Sequence, residues 1–512
     1  LITDVKKRRN LIILVLLIAF VLRLGLALSV THPGHGDFAF YTTLAENIAA
    51  GRGFVIDYIW HYLTKTTSIT HGATDFWMPM ASIIISGFMI LFGKSLLMAL
   101  LPSILFGLGL SVLVYLWSRY FSESEFVSLA AAGLALFLPM LFTFSLLTDS
   151  TIYYVFFVTA CFLFLAKAQA KSSYFLLAAV FAGLSHLTRQ DGLFLVPVIL
   201  LMILLSSLKW PKKVWLVVGA IVIYLAILSP IWITNLQIYG QPLPPGPNKT
   251  MFIIAPEDVN SYARVFNWQT YSAWGLGNII RAKIQTGLNN IKTLYDTAGS
   301  LVLILSLVGL VELALNKSRR SRWRPYLPPV LFGAIIYLFY SVIASIPSAG
   351  GAFGKSILSI CPFMVIVACE VVDRHFALRK IAVIVIVLSG LFFMGHGIFL
   401  SGKLISSNNR LSRQLNEVKI FLDTQLSSGQ ETIIMTRNPW EVYYSTHYRA
   451  IQIPDDDLET IYEVASRYKA NYLLLPAPRL ALKDIYTGSA PDPRFEKVAD
   501  IPESEMKLFR IK

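Results

Sequence analysis

The sequence predicts a mainly α fold: a polytopic bundle of about eleven membrane-crossing helices, with a small α/β domain at the C-terminal end. Three observations carry this. Of 512 residues, 55% are hydrophobic and only 14% charged, against about 25% charged in soluble domains. Apolar runs of about 17–25 residues, the length that crosses a bilayer, recur through residue 400. After residue 400 the composition becomes charged and the long apolar runs stop.

The candidate spans are 11–30, 96–117, 126–147, 150–167, 173–188, 192–208, 213–235, 298–316, 326–346, 353–372 and 379–400. The first follows Lys6, Lys7, Arg8 and Arg9. It is long for a signal-peptide core and no small-residue cleavage site follows, so it reads as a retained anchor with a cytoplasmic N-terminus. Counting spans from there puts the other basic segments on the same side: Arg119, Lys167 with Lys171, KWPKK at 209–213, and the stretches 316–324 and 373–380. That is the positive-inside bias. The net charge of +14 therefore follows membrane orientation and does not point to nucleic acid. The apolar segment from Met78 to Gly93 is the awkward member. It is short and starts with Pro79, so it reads as a helix lying on the outer surface, with a short span as the alternative.

Three regions then lie outside the cytoplasm of a cell (inner) membrane protein. They are a first outer loop at 31–95, a Pro-, Tyr- and Trp-rich loop at 236–297, and the tail 401–512. The domain boundary falls between 1–400 and 401–512. In the tail, helical patterns at 408–426 and 457–468 alternate with strand-like runs at 432–435, 450–453 and 471–475, which predicts an α/β domain. Cys161, Cys361 and Cys369 all sit in apolar runs, without metal-site spacing. No internal repeat, GxGxxG, P-loop, HExxH or GxSxG motif occurs.

The candidate chemistry lies at the outer ends of these spans. Asp37 follows Gly36 and opens an amphipathic stretch with Phe38, Tyr41, Ala45 and Ile48 on one face. Asp suits a helix N-cap, and a cap position also fixes a carboxylate in space. Asp149 sits at an outer turn in LLTDSTIYY, as a cap or as a site residue near the bilayer boundary. Arg189 and Asp191 form a second outer turn, either as a structural pair or with Arg189 binding an anionic headgroup. Lys355 approaches the outer end of its span through a Gly-rich stretch, as a snorkelling lysine or a point charge for phosphate. The aromatic stretch 436–450 is either ordinary domain structure or part of an acceptor-binding surface. His32, His35, His61 and His71 share the first outer loop with Asp37, Asp57 and Asp75. Their spacings match no usual ligand pattern, so no cofactor is assigned, and a divalent metal stays as an alternative.

These pieces resemble the GT-C class of membrane glycosyltransferases, with bacterial relatives of the protein O-mannosyltransferases and of the lipid A aminoarabinose transferases as the nearest groups. The resemblance rests on five motifs in order. They are D-x3-Y-x2-LAxNIAxGxGF (Asp37 to Phe54), WMP…ILFG (Trp77 to Gly93), TDS around Asp149, GLxxLTRxDGL (Gly183 to Leu193), and SPIWITNLQIYGQPLPP (Ser229 to Pro245). The chain departs from many relatives in having Phe38 after Asp37, where they carry a second acid, and Lys355 where they often carry Arg.

The resemblance implies sugar transfer from a polyprenyl-phosphate donor to an extracytoplasmic glycan, lipid or protein hydroxyl, with inversion and one catalytic carboxylate. On that reading Asp37 is the general base, because a hydroxyl is a poor nucleophile until its proton is being removed. Asp149 orients the acceptor or serves as an auxiliary acid. Arg189 and Lys355 hold the lipid phosphate, and Tyr41 and Asp191 complete the substrate contacts. The other function class is a transporter or flippase for a lipid-linked or small solute, since membrane acids and bases mark such pathways too. Paired repeats favour that class, and none is visible here.

Overall fold

The structure is a computed structural model that describes residues 5–316, 323–344, 351–376, 379–425, 431–501 and 504–512. The predicted basic segment 316–324 therefore falls mostly outside the described residues, as do residues 377–378 of the segment 373–380 and the glycine-rich lead at 348–350. The chain divides into two compact units. One holds Leu1–Ser29, Leu97–Thr234 and Ala282–Lys403; the other holds Val30–Leu96, Asn235–Arg281 and Leu404–Lys512.

The first unit is helical. Helix occupies every one of the eleven predicted spans, although several are interrupted. The span 126–147 breaks at Leu138 into Glu125–Phe137 and Pro139–Phe144. The span 353–372 runs as Ala352–Ile357, a 3₁₀ turn at Leu358–Ile360, and Cys361–His375. By length and composition, four described helices are able to cross a membrane: Leu96–Ser118, Trp210–Tyr239, Ala352–His375 and Lys380–Thr424. The bent pair Leu276–Ala298 and Ser300–Leu315 makes a fifth if counted as one span. The other apolar helices have 10–17 residues.

Lipid tails are as apolar as Leu, so helices in a bilayer associate through close packing at small residues. The helix Ser300–Leu315 meets Cys361–His375 at Gly309, where an added Cβ would come within 2.5 Å of Val367 Cγ1. Gly107 faces Ser145 in the same way, at 2.7 Å. Thr151–Lys167 and Cys361–His375 are buried along most of their length. By contrast, Trp210–Tyr239 exposes Trp215, Val218, Val222 and Ile233, an outward face suited to hydrocarbon.

The second unit is built around a six-stranded sheet ordered 58–59, 449–452, 433–436, 472–475, 507–511, 495–500. The first three pairings are parallel and the last two antiparallel. Parallel neighbours need crossovers, and the helices Pro439–Thr446 and Leu458–Arg467 supply two of them. Ile433, Met435, Ile451, Leu473 and Leu475 pack with Ile461 and Val464 and with Ile59 and Tyr62. The tail strands fall within one residue of the expected runs. However, the edge strand Tyr58–Ile59 comes from the first loop, and Phe495–Asp500 and Lys507–Ile511 were not anticipated.

The segment at 78–93 is a 13-residue helix, Met80–Phe92. At about 1.5 Å per residue it spans about 20 Å, against about 30 Å of hydrocarbon. Ser82 Oγ donates to the Tyr41 carbonyl, tying it to the helix Asp37–Ala49. The region 236–297, expected as a loop, ends instead in a 23-residue helix, Leu276–Ala298.

The contact at Gly309 sets a packing prediction. Gly309→Leu should lower unfolding free energy by about 1–3 kcal/mol through overpacking, measured by steric trapping in bicelles. Gly395→Leu should be neutral or stabilising, because Gly395 has no atom within 4 Å of its Cβ position.

Candidate active site

In the helical unit, one short helix gathers four of the predicted residues. Ala352–Ile357 carries Lys355 and Ser356 in succession. Lys355 Nζ donates to Asp149 Oδ2 at 2.6 Å. The other Asp149 oxygen accepts from the Thr151 backbone N–H at 2.7 Å and from the Thr151 hydroxyl. The N-cap of Thr151–Lys167 is Ser150, so Asp149 is not the cap its position suggested; it stands one residue before it and accepts from the first helical residue. One residue on, the Ser356 hydroxyl donates to Asp191 Oδ2 at 2.5 Å, and Tyr340 donates to Asp191 Oδ1 at 2.5 Å. Arg189 meets Asp191 through Nε at 3.0 Å and Nη2 at 2.9 Å, and also reaches Ser356 Oγ and the Ala352 carbonyl.

The Arg189–Asp191 turn depends on its local backbone. Arg189 is extended and ends the helix Tyr174–Thr188. A 3₁₀ turn at Gln190–Phe194 then folds back so tightly that a Cβ on Gly192 would lie 2.2 Å from the His186 amide nitrogen. Only glycine fits there. His186 is buried and pairs with the Tyr224 hydroxyl at 2.5 Å, a packing role.

The two ion pairs share one polarity. Asp149 is fully buried, whereas the Lys355 side chain keeps 16% of its surface. Asp191 keeps 6% and Arg189 13%. Each carboxylate is the inner partner and each cation the outer one. Burying either acid alone would cost several kcal/mol, so the cations are held in place by the acids behind them. The Arg189 guanidinium also lies 5.6 Å from the centre of the Tyr154 ring.

A further buried arginine supports this region. Arg23, 1% exposed, donates to Ser145 Oγ at 2.7 Å, to the Leu136 carbonyl at 2.5 Å and to the Ala19 carbonyl at 3.3 Å. Pro139 has no N–H, so the helix ending at Phe137 leaves carbonyls without partners. Arg23 answers one of them at the negative end of that helix. Ser103 Oγ donates to the Leu147 carbonyl at 2.7 Å. Together these contacts pin the segment that presents Asp149.

Asp37 and Tyr41 belong to the other unit. Asp37 is half-buried and is the first residue of the helix Asp37–Ala49, not its cap. The cap is Gly36, at φ +59°. Tyr41 is 1% exposed and packs on Phe40 and Trp77, so its ring is a core group rather than an exposed contact. His35 pairs with buried Glu441, and that hydrogen bond raises the imidazole above its ordinary range. Burial pushes His32 down to about 4. Burial works against the Asp57 charge. The Arg52 fork and the Thr70 and Tyr443 hydroxyls outweigh it and hold the carboxyl below its usual range. His61 and His71 both face Asp75 Oδ2, at 3.1 and 3.9 Å. Among the described residues no group of three or more His, Cys, Asp and Glu side chains is placed to hold a metal ion.

The family described as dolichyl-phosphate-mannose-protein mannosyltransferase matches residues 76–233. ArnT from Cupriavidus metallidurans, solved bound to undecaprenyl phosphate, superposes with a TM-score of 0.60 at 13% identity, covering 99% of this chain and 98% of that one. The chain has the GT-C fold of membrane glycosyltransferases. The Archaeoglobus fulgidus oligosaccharyltransferase in its apo form matches with a TM-score of 0.57 at 12% identity, over 93% of this chain and 70% of that one. The arabinofuranosyltransferase AftD from Mycobacteria matches at 0.51 and 12% identity, over 97% and 40%. No curated protein matches the sequence.

Within this GT-C fold, sequence reasoning singled out Asp149, Arg189, Asp191 and Lys355, and the structure brings them onto one helix end. It missed Ser356, Tyr340 and Arg23. Ser356 and Tyr340 are single hydroxyls inside apolar runs, with no local signal. Arg23 had one: a lone charge inside the first apolar run.

The inner–outer arrangement gives a stability prediction. Lys355→Met should cost about 3 kcal/mol by leaving Asp149 buried without a partner. Adding Asp149→Leu should restore most of that loss, as read by thermal unfolding in detergent.

Proposed function

We propose that the protein transfers a sugar from a polyprenyl-phosphate carrier to an acceptor hydroxyl on the extracytoplasmic side, with inversion at the anomeric carbon. The acid-backed cation pair, Lys355 and Arg189, is the observation that carries this reading. A lipid phosphate leaving group is already a weak base and needs no proton, but its charge needs preorganised donors. Lys supplies a point charge and Arg a planar fork for phosphate oxygens. The GT-C fold, and a relative of that fold solved with undecaprenyl phosphate, support the choice of carrier.

In the proposed step the acceptor oxygen attacks the anomeric carbon. A new C–O bond forms as the bond to the phosphate oxygen breaks, and the electron pair leaves with the phosphate. The acceptor proton passes to Asp37, the proposed base. Asp149 takes a different role from the acceptor-orienting or auxiliary acid first expected. With no exposed surface and with Lys355 and Thr151 on its oxygens, it acts as a positioning residue for Lys355. Asp191 does the same for Arg189, with Tyr340 and Ser356 on its oxygens.

The test is transfer of labelled sugar from a panel of polyprenyl-phosphate donors by the full chain in liposomes. Asp37→Asn should keep the fold and lose about 10²–10⁴-fold in turnover. Near-normal transfer by a folded Asp37→Asn protein would remove Asp37 as the base. Absence of transfer from every donor, with solute or lipid flux instead, would replace the enzyme by a transporter.

A further inference from the structure

In the second unit the chain leaves strand 433–436 for strand 449–452 on one side, then crosses back to strand 472–475 on the other. All three strands are parallel. The loops at the carboxyl ends of 433–436 and 472–475 therefore diverge and leave a crevice between them. Open α/β sheets bind ligands at such a reversal of strand order. A shared architecture does not by itself make a site, so the residues at the crevice decide.

Three of them are basic. Arg437 is the first residue after strand 433–436 and is exposed. Among the described residues it makes no hydrogen bond and no ion pair. Arg479 stands four residues after strand 472–475. Its side chain keeps only 14% of its surface. It donates through Nη1 to the Ile453 carbonyl at 3.1 Å and meets the more exposed Asp455 loosely, through Nη2 at 3.4 Å. Burial and the Arg437 charge outweigh Asp455 and Glu257 and hold Arg479 below the ordinary guanidinium range. It is a buried cation short of negative charge. The third is His35. Its Nδ1 pairs with Glu441 in the first turn of the helix Pro439–Thr446, and Trp440 Nε1 donates to the same Glu441 oxygen at 3.2 Å. Glu441 is the acceptor, so Nδ1 carries a proton and Nε2 is the nitrogen left for a ligand. The imidazole is 64% exposed over a Glu441 side chain that is 1% exposed. Arg437 acts electrostatically on both His35 and Arg479, and His35 stands two residues before Asp37. Glu441 answers His35 and Asp455 faces Arg479, which leaves the Arg437 charge over.

We infer that this crevice binds a glycan through a carboxylate or phosphate group on it, held by Arg437 and Arg479. The planar guanidinium fork matches the oxygens of either anion. The half-buried Trp440 ring, edge-on to His35 at 5.9 Å, offers an apolar face to a sugar ring beside them. His35 continues the basic row toward Asp37, so a glycan anchored by its charge brings a neighbouring hydroxyl to the proposed base. That the glycan is the acceptor rests on the transfer reading above. The anion site itself does not.

The test is equilibrium dialysis of tritiated tetrasaccharides against the full chain in nanodiscs, with no donor present. The probes are maltotetraose, the same sugar oxidised to a terminal uronate, and its terminal 6-phosphate. One or both charged forms should bind about 10- to 100-fold more tightly than the neutral one, the worth of a charge-assisted hydrogen bond, and the preference should shrink as salt is raised. The form that binds more tightly tells carboxylate from phosphate. Arg437→Gln should abolish the preference, and Arg437→Lys should keep part of it. Arg437 is exposed and unpaired among the described residues, so its loss should leave thermal unfolding unchanged. Equal affinity for all three sugars would overturn the site, as would an undiminished preference in Arg437→Gln. Capture of an acidic peptide with no hold on either charged sugar would overturn it too, by giving the crevice to protein. Charged-sugar binding without any sugar transfer would end the transfer reading and leave the site standing. Transfer with no preference for charge would do the opposite.

Discussion

The cost of burying a carboxylate is the constraint on which the candidate site depends. Asp149 and Asp191 lie inside the helical unit, where an uncompensated charge would be expelled or neutralised. Each is compensated by a cation that keeps a fraction of its surface. The compensation fixes the cations as much as it permits the acids. Lys355 and Arg189 are long and flexible when unpaired, and freezing such chains costs conformational entropy. Here the inner acids have already ordered them, which lowers the cost of engaging a phosphate.

The fold serves that arrangement through interruptions rather than through regular helices. The break at Leu138–Pro139 allows the chain to turn toward Asp149, and Arg23 and Ser103 hold the turn. The extended residue at 189 and the tight return at Gly192 present the second pair. The short helix at 352–357 serves both pairs because Lys355 and Ser356 are consecutive and so point about 100° apart. At the first break Arg23, on another helix, answers a freed carbonyl, as a bilayer demands.

Much of this was legible in the sequence. Long apolar runs located the helices, because in a membrane composition alone decides what is tolerated. Charges stranded at the ends of those runs marked Asp149, Arg189, Asp191 and Lys355. What was not legible depends on distant pairing. Tyr58 and Ile59 join a sheet whose other strands lie nearly 400 residues away, and no local pattern encodes that. Phe495–Asp500 and Lys507–Ile511 carry charges between their apolar positions, so they resemble loop. The helix 276–298 was read as loop because its apolar residues are spaced by polar ones. Tyr41 shared a face with Phe38 on paper but turned into the core against Trp77.

The central claim, that buried acids hold Lys355 and Arg189 ready for a lipid phosphate, is tested most directly by equilibrium binding of undecaprenyl phosphate to the full chain in nanodiscs, with undecaprenol as the uncharged control. The account predicts that the alcohol binds far more weakly than the phosphate, and that Arg189→Ala and Lys355→Ala each weaken phosphate binding about 10- to 100-fold, the worth of a charge-assisted hydrogen bond. Equal binding of phosphate and alcohol, or unchanged affinity in both folded variants, would contradict it.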